Sequence, residues 1–311
     1  METKHFGNTD MKISRIGFGA WAIGGGNWAF GWGPQDDDEA IAAMHRAIEN
    51  GMNWIDTAAV YGLGHSEELV GKAVKGMNHR PYIFTKCGLV WDDSRKPGPN
   101  IKADSIRREC EASLQRLDVD VIDLYQVHWP VDVDIEEAWK MMEQLRSEGK
   151  VRYIGVSNYN VEQIRKCMEI APVSSLQPPY SLINRDYEKE ILPFCEEQGI
   201  GVIVYSPMGS GLLTGTMTHE RIAAMPSDDW RKSSSFFKEP ALTRNLALAE
   251  KLRSVGKRHG RSAGEVAIAW TLQNPAVTAA IVGGRSAGQV DGISHAWDFT
   301  LTEADLLEIE R

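Results

Sequence analysis

Four residues of this 311-residue chain have types and positions suited to proton chemistry. In "NWIDTAAVYG" (53–62), Asp56 closes a short apolar run and Tyr61 follows five positions later across a turn of small residues. Lys86 ends the run "YIFTK" (82–86) and His128 ends "VIDLYQVH" (121–128). A carboxylate at the end of a buried run is costly unless it is paired, and a lysine at the end of another run is a fitting partner. A tyrosine is a proton donor with an ordinary pKa near ~10, which a neighbouring ammonium can tune. An imidazole can hydrogen-bond in either direction. Taken singly, each residue has a bland reading: Asp56 a turn or cap, Lys86 a snorkelling side chain, His128 a satisfied core histidine. The set has meaning only if the fold brings the ends of these runs together.

The elements that must do so alternate along the chain. Strand-like runs occur at 15–21, 53–58, 82–86, 121–128, 151–157, 174–177, 201–206 and 279–284, and amphipathic helical stretches lie between them. "DDDEAIAAMHRAIENG" (36–51) opens with acids and ends on a glycine, as a capped helix does. "KADSIRRECEASLQRLD" and "DIEEAWKMMEQLRSEGK" follow the same pattern. Alternation of this kind implies a parallel sheet, and near-continuous apolar strands imply burial on both faces. Eight units suggest a closed (β/α)8 TIM barrel, with a doubly wound open sheet as the alternative; no GxGxxG follows the first strand to favour the latter. "KHFGNTDMKISRI" reads as an N-terminal β-hairpin closing the barrel bottom, turning at "GNTD". With no linker or low-complexity tract, 1–311 is read as one barrel domain. The long segment 207–240 falls in the length range of functional loops.

Composition narrows the classes. Lys plus Arg is 34 against 43 Asp plus Glu, a net charge of −9, which disfavours nucleic acid and anionic membrane as partners. The cysteines Cys87, Cys110, Cys167 and Cys195 show no metal-ligand spacing, so no metal site is expected. A polar N-terminus without a signal peptide, and no apolar run of membrane length, point to the cytoplasm. Oligomeric state is not readable from the chain.

"DTAAVYG", "FTKCG", "YQVHWP", "GVSNY" (155–159), "YSPMGSGLLTG" (205–215) and "IVGGRSAGQ" (281–289), in this order and each at a strand end, resemble the aldo-keto reductase superfamily over nearly the whole chain. "YSPMGSGLLTG" and "FFKEPALTRN" are most similar to its bacterial branch related to the potassium-channel β-subunit-like reductases. The resemblance implies a catalytic tetrad of Asp56, Tyr61, Lys86 and His128. Tyr61 would be the general acid, Lys86 would stabilise its phenolate, Asp56 would pair with Lys86, and His128, neutral, would align the carbonyl.

The same resemblance implies NADPH (NADP+) lying across the barrel mouth. Ser157, Asn158 and Gln177 would bind the carboxamide and Tyr205 would stack on the nicotinamide. Ser206, Met208, Gly209 and Ser210 would line the pyrophosphate, with Leu212 against the ribose. Gly283 lies in the glycine-led segment after the last strand. There Arg285 and Ser286 would meet the 2′-phosphate and Gln289 the adenosine, although Arg285 alone also reads as a surface cation. Where relatives place Glu-Asn for the adenine, "QVDGIS" places Gly292 and Ile293, with Asp291 as a substitute.

Aromatic residues crowd the loops at the same face. Trp21, Trp91 and Trp129 are expected as walls of a substrate pocket, with Trp28, Phe30 and Trp32 in the first loop, although half of such residues can be loop packing. The family's longer C-terminal tail is not present after "LTEADLLEIER", which implies an open pocket, while 209–240, carrying Trp230, is expected to fold over the cofactor. The expected activity is reduction of aldehydes, ketones or sugars. The alternatives are a slow redox-sensing subunit, an alcohol or sugar dehydrogenase working oxidatively, and an isomerase or aldolase with Lys86 as a Schiff-base amine.

Overall fold

The computed structural model describes residues 1–26, 28–226 and 229–310. An antiparallel hairpin, β1 (Thr3–His5) and β2 (Lys12–Ser14), comes first. Eight strands then close a parallel barrel in the order β3 (Ile16–Gly19), β4 (Trp54–Asp56), β5 (Tyr82–Cys87), β8 (Ile122–Val127), β9 (Val151–Ser157), β10 (Ser175–Gln177), β11 (Gly201–Val204) and β12 (Ala279–Gly283). A second antiparallel hairpin, β6 (Leu89–Trp91) with β7 (Pro97–Pro99), stands on the loop after β5. All eight expected runs hold a barrel strand, and the open sheet is excluded. Among the described residues no helix is long and apolar enough to cross a membrane.

The helices begin and end where their residues dictate. Asp36 caps Asp37–Glu49 by accepting from Glu39 N–H at 2.9 Å, and the acids of the first turn face the positive end of the helix dipole. Gly51, at φ 91°, turns the chain into β4. Asn160 with Gln163, and Ser262 with Glu265, form capping boxes on Val161–Met168 and Ala263–Leu272.

Strand periodicity separates core from site. On the inner face of the barrel, Trp54, Phe84, Leu124, Ile203, Ala279 and Ile281 pack with Phe6, Met11 and Ile13 of the hairpin, which plugs the N-terminal end as expected. Gly17 is required here, because a Cβ would stand 2.0 Å from the Trp54 indole. Two residues further along, the inward positions turn polar: Asp56 after Trp54, Lys86 after Phe84, and Gln126 and then His128 after Leu124. The intervening residues, Ile55, Ile83, Cys87, Tyr125 and Val127, pack outward against the helices.

Candidate active site

Asp56, Lys86 and Tyr61 meet at the C-terminal ends of β4 and β5. Lys86 Nζ donates to Asp56 Oδ1 at 2.6 Å, to Thr57 O at 2.8 Å and to Tyr61 Oη at 3.3 Å. Gln177 Nε2 donates to Asp56 Oδ2 at 2.8 Å, so both carboxylate oxygens are engaged. The ammonium also lies 5.0 Å from the Tyr61 ring centre. Burial pushes the Asp56 carboxyl up and the Lys86 amine down, each against the attraction of the other. The His128 ring meets Tyr61 edge-on at 5.7 Å between centres. Burial, helped by the Lys86 charge, holds His128 well below its ordinary pKa, so it is neutral.

Lys86 was expected to stabilise the Tyr61 phenolate; at rest burial, with the Asp56 charge, raises the Tyr61 pKa well above the ordinary value. The ion pair is nearly neutral as a unit, so desolvation wins and Tyr61 keeps its proton at rest. The amine also forms an ion pair of 2.6 Å, which keeps it charged and disfavours a Schiff-base role.

Ser157, Asn158, Gln177 and Tyr205 are brought together, but largely by one another. Ser157 Oγ donates to Gln177 O at 2.8 Å, Asn158 Nδ2 donates to Ser157 Oγ and to His128 O at 3.0 Å each, and Tyr205 Oη donates to Asn158 Oδ1 at 2.8 Å. Asn158, at φ 63°, thereby positions His128 as well as Tyr205. Leu212 is not free for a ribose: it is fully buried with Met217, Ile222, Phe237 and Leu242 in a small core that anchors the 209–240 segment. Met208 packs its thioether toward Gly264. Asp291 accepts from Asn50 Nδ2 at 3.0 Å and pairs with Arg46 through the same oxygen, and its side chain stays half exposed.

The segment expected to meet the pyrophosphate has a backbone form that suits an anion. Ser206, Gly209, Ser210 and Gly211 take positive φ of 55°, 56°, 55° and 99°, a backbone run whose amides can gather on an anion. Gly283 is exposed at the end of β12, where a Cβ would meet nothing nearer than Gly19 O at 3.6 Å. The Arg285 guanidinium donates to Gln35 Oε1, to Trp32 O and to Pro34 O, with no carboxylate in ion-pair range among the described residues. Ser286 precedes the short helix Ala287–Asp291 without its side chain capping it. Gln289 Oε1 accepts from Arg285 N–H at 2.9 Å, which leaves its amide nitrogen for an adenosine.

The mouth is walled by aromatics, though only partly by those expected. Trp21 stacks on Tyr61 at 6.1 Å between centres, and Trp28 lies 6.3 Å from it. Trp230, from the 209–240 segment, stacks on Trp21 at 5.1 Å and meets Trp32 edge-on at 5.8 Å. This cap leaves Tyr61 only 9% exposed and replaces the open pocket expected from the chain's end. Trp91, on β6, and Trp129, which is 46% exposed, are not ring neighbours of Tyr61. The indole nitrogens of Trp32 and Trp230 are buried and have no acceptor among the described residues. Gln126 and Gln35 were missed. The signal for Gln126 was its place two residues before His128 on an inward-facing strand; Gln35 carried none.

A (β/α)8 barrel with a tyrosine, a buried lysine–aspartate pair and a buried imidazole gathered at the strand ends is the frame of an oxidoreductase. The aldo/keto reductase family model matches residues 15–311, and the chain belongs to that family. It is 38% identical to aldo-keto reductase YhdN of Bacillus subtilis (strain 168), over 99% of this chain and 92% of that protein. It is 34% identical to the NADH-specific methylglyoxal reductase of Escherichia coli (strain K12), over 96% and 94%. The glycerol dehydrogenase AKR11B4 of Gluconobacter oxydans superposes with a TM-score of 0.90 at 37% identity, over 99% of this chain and 94% of that structure. The family uses a nicotinamide cofactor, and the backbone run at 206–211 and the unpaired Arg285 charge fit one.

Proposed function

We propose that this chain, acting in the cytoplasm as one barrel domain over 1–311, reduces aldehydes or ketones to alcohols with NADPH and uses Tyr61 as general acid. The observation that carries this reading is the Lys86 ammonium held by Asp56 at 2.6 Å and directed at Tyr61 Oη at 3.3 Å. A nicotinamide held across the mouth by Ser157, Asn158, Gln177 and Tyr205 would supply a hydride for the carbonyl carbon. Tyr61 gives its proton to the carbonyl oxygen as charge builds there. Lys86 donates to the phenolate left behind, and its hydrogen bond strengthens as that charge appears. Asp56 keeps Lys86 charged. His128, neutral, hydrogen-bonds the carbonyl oxygen and orients it, and Asn158 holds His128 through its backbone carbonyl. The aromatic cap excludes water around these groups, which strengthens each electrostatic contact.

Arg285 supports NADPH, because a guanidinium without an acid partner suits a 2′-phosphate. The stacked indoles suit planar or sugar-like substrates, and the unpaired Trp32 and Trp230 N–H groups favour substrates that bring a further oxygen. The glycerol dehydrogenase relative keeps the oxidative direction as a second reading, since the same groups run backwards with Tyr61 as base. The test follows absorbance at the reduced-nicotinamide band, with NADPH and NADH separately, against aromatic aldehydes, methylglyoxal and aldoses, and with NADP+ against glycerol and other polyols. Rapid NADPH loss with a carbonyl substrate is expected. Turnover only with polyols would reverse the direction. Tight binding without turnover in either direction would replace the enzyme reading with the redox-sensing one.

A further inference from the structure

We propose that Gln35 is a specificity-determining residue for the cofactor: it fixes the Arg285 guanidinium with neutral acceptors only, leaving a preorganised cation that selects the 2′-phosphorylated dinucleotide. The proposal rests on the NADPH reading above and adds a residue from a different loop. Gln35 and Arg285 are 250 positions apart and clasp each other twice. Arg285 Nε donates to Gln35 Oε1 at 2.7 Å, and Gln35 Nε2 returns a bond to Arg285 O at 3.1 Å. Trp32 O accepts from Nη1 at 3.1 Å and Pro34 O accepts from Nη2.

These bonds decide two things. They occupy three of the five guanidinium N–H groups, so each terminal nitrogen keeps one N–H for a phosphate oxygen. They also leave the charge whole. With 43 acidic residues against 34 basic ones, an acid partner was available, and Arg46, Arg107 and Arg146 each have one. Asp36, the acid next to Gln35, is spent on Glu39 N–H. A glutamate at 35 would meet the same Nε–H but cancel the charge. Gln35 is therefore the residue at which geometry and charge can be varied separately.

The experiment titrates the protein and its variants with NADP+ and with NAD+, read by quenching of intrinsic tryptophan fluorescence. It uses Gln35→Glu, Gln35→Leu and Arg285→Ala, each checked for a cooperative melt. Gln35→Glu is expected to weaken NADP+ at least about tenfold, the loss of one charge-assisted contact, with NAD+ nearly unchanged. Gln35→Leu keeps the charge but frees the guanidinium, so NADP+ weakens by a smaller, roughly three- to tenfold factor. If both Gln35 variants bind NADP+ as tightly as the parent, or lose NADP+ and NAD+ in parallel, while Arg285→Ala loses NADP+ alone, the role of Gln35 is overturned and that of Arg285 stands. If Arg285→Ala treats the two cofactors alike, the NADPH reading itself falls.

Discussion

Replacing Lys86 by Met tests how the site is held together. The Lys86 side chain is fully buried and the Asp56 side chain is 3% exposed, so the variant strands a buried carboxylate with Gln177 as its remaining side-chain donor. Breaking a buried pair from one side costs about 3–5 kcal/mol. Unfolding entropy near ~2.1 cal/mol/K per residue over 311 residues is about 0.65 kcal/mol/K, so the melting temperature should fall by about 5–8 °C. The loss should depend on pH, with a definite sign. Burial already raises the Asp56 pKa, and Lys86 supplies the largest opposing pull. Without Lys86 the folded-state pKa rises further, so the folded variant binds a proton that the unfolded chain releases. The variant is then least destabilised in acid and loses stability as pH climbs through the Asp56 pKa. Calorimetric melts at pH 5 and pH 8, with the parent alongside, measure this. Adding Asp56→Asn to Lys86→Met should recover part of the loss at pH 8, because no buried charge remains. A melting shift under about 2 °C at pH 8, equal at both pH values, would refute the reasoning, since it would mean that the pair is not desolvated.

Tyr61→Phe should keep cofactor affinity, measured by fluorescence quenching, and lose about 10²–10⁴-fold in turnover, the usual contribution of a placed proton donor; full activity would remove Tyr61 from that role. His128 is held neutral by burial and the Lys86 charge, so the pH profile of carbonyl reduction between pH 6 and 8 should show no limb that disappears in His128→Gln; a limb lost in that variant would show that the imidazole titrates there. Glu109 accepts from Gly88 N–H at 2.9 Å, and burial raises its carboxyl to about 7. A raised carboxyl pKa gives stability that is present in acid and lost as pH rises toward 7, so Glu109→Gln should flatten the pH dependence of the melting temperature between pH 5 and 7. An unchanged slope in that variant would place the titration elsewhere.

The chain alone determined the barrel, because strand and helix periods alternate without interruption and each strand end carries its own punctuation. It also determined which residues could react. Asp56, Lys86 and His128 stand two residues beyond, or in phase with, the inward apolar positions, and a period of two is readable without coordinates. What it did not determine was which loop residues share a volume. Trp91 and Trp129 sit beside reactive residues in sequence, yet Trp21 and Trp28 are the indoles that neighbour the Tyr61 ring. Trp230 is distant in sequence, yet it stacks on Trp21 because the core around Leu212 and Phe237 anchors its segment over the mouth. The balance of charge at Tyr61 was also a tertiary matter. Proximity of Lys86 to Tyr61 was readable from the strand ends, but that burial and the Asp56 charge raise the resting Tyr61 pKa was not. The Gln35–Arg285 clasp belongs to the same class. Local pattern encodes secondary structure and facing, whereas desolvation and loop-to-loop contact depend on closure of the barrel, which brings the loop after β3 beside the loop after β12.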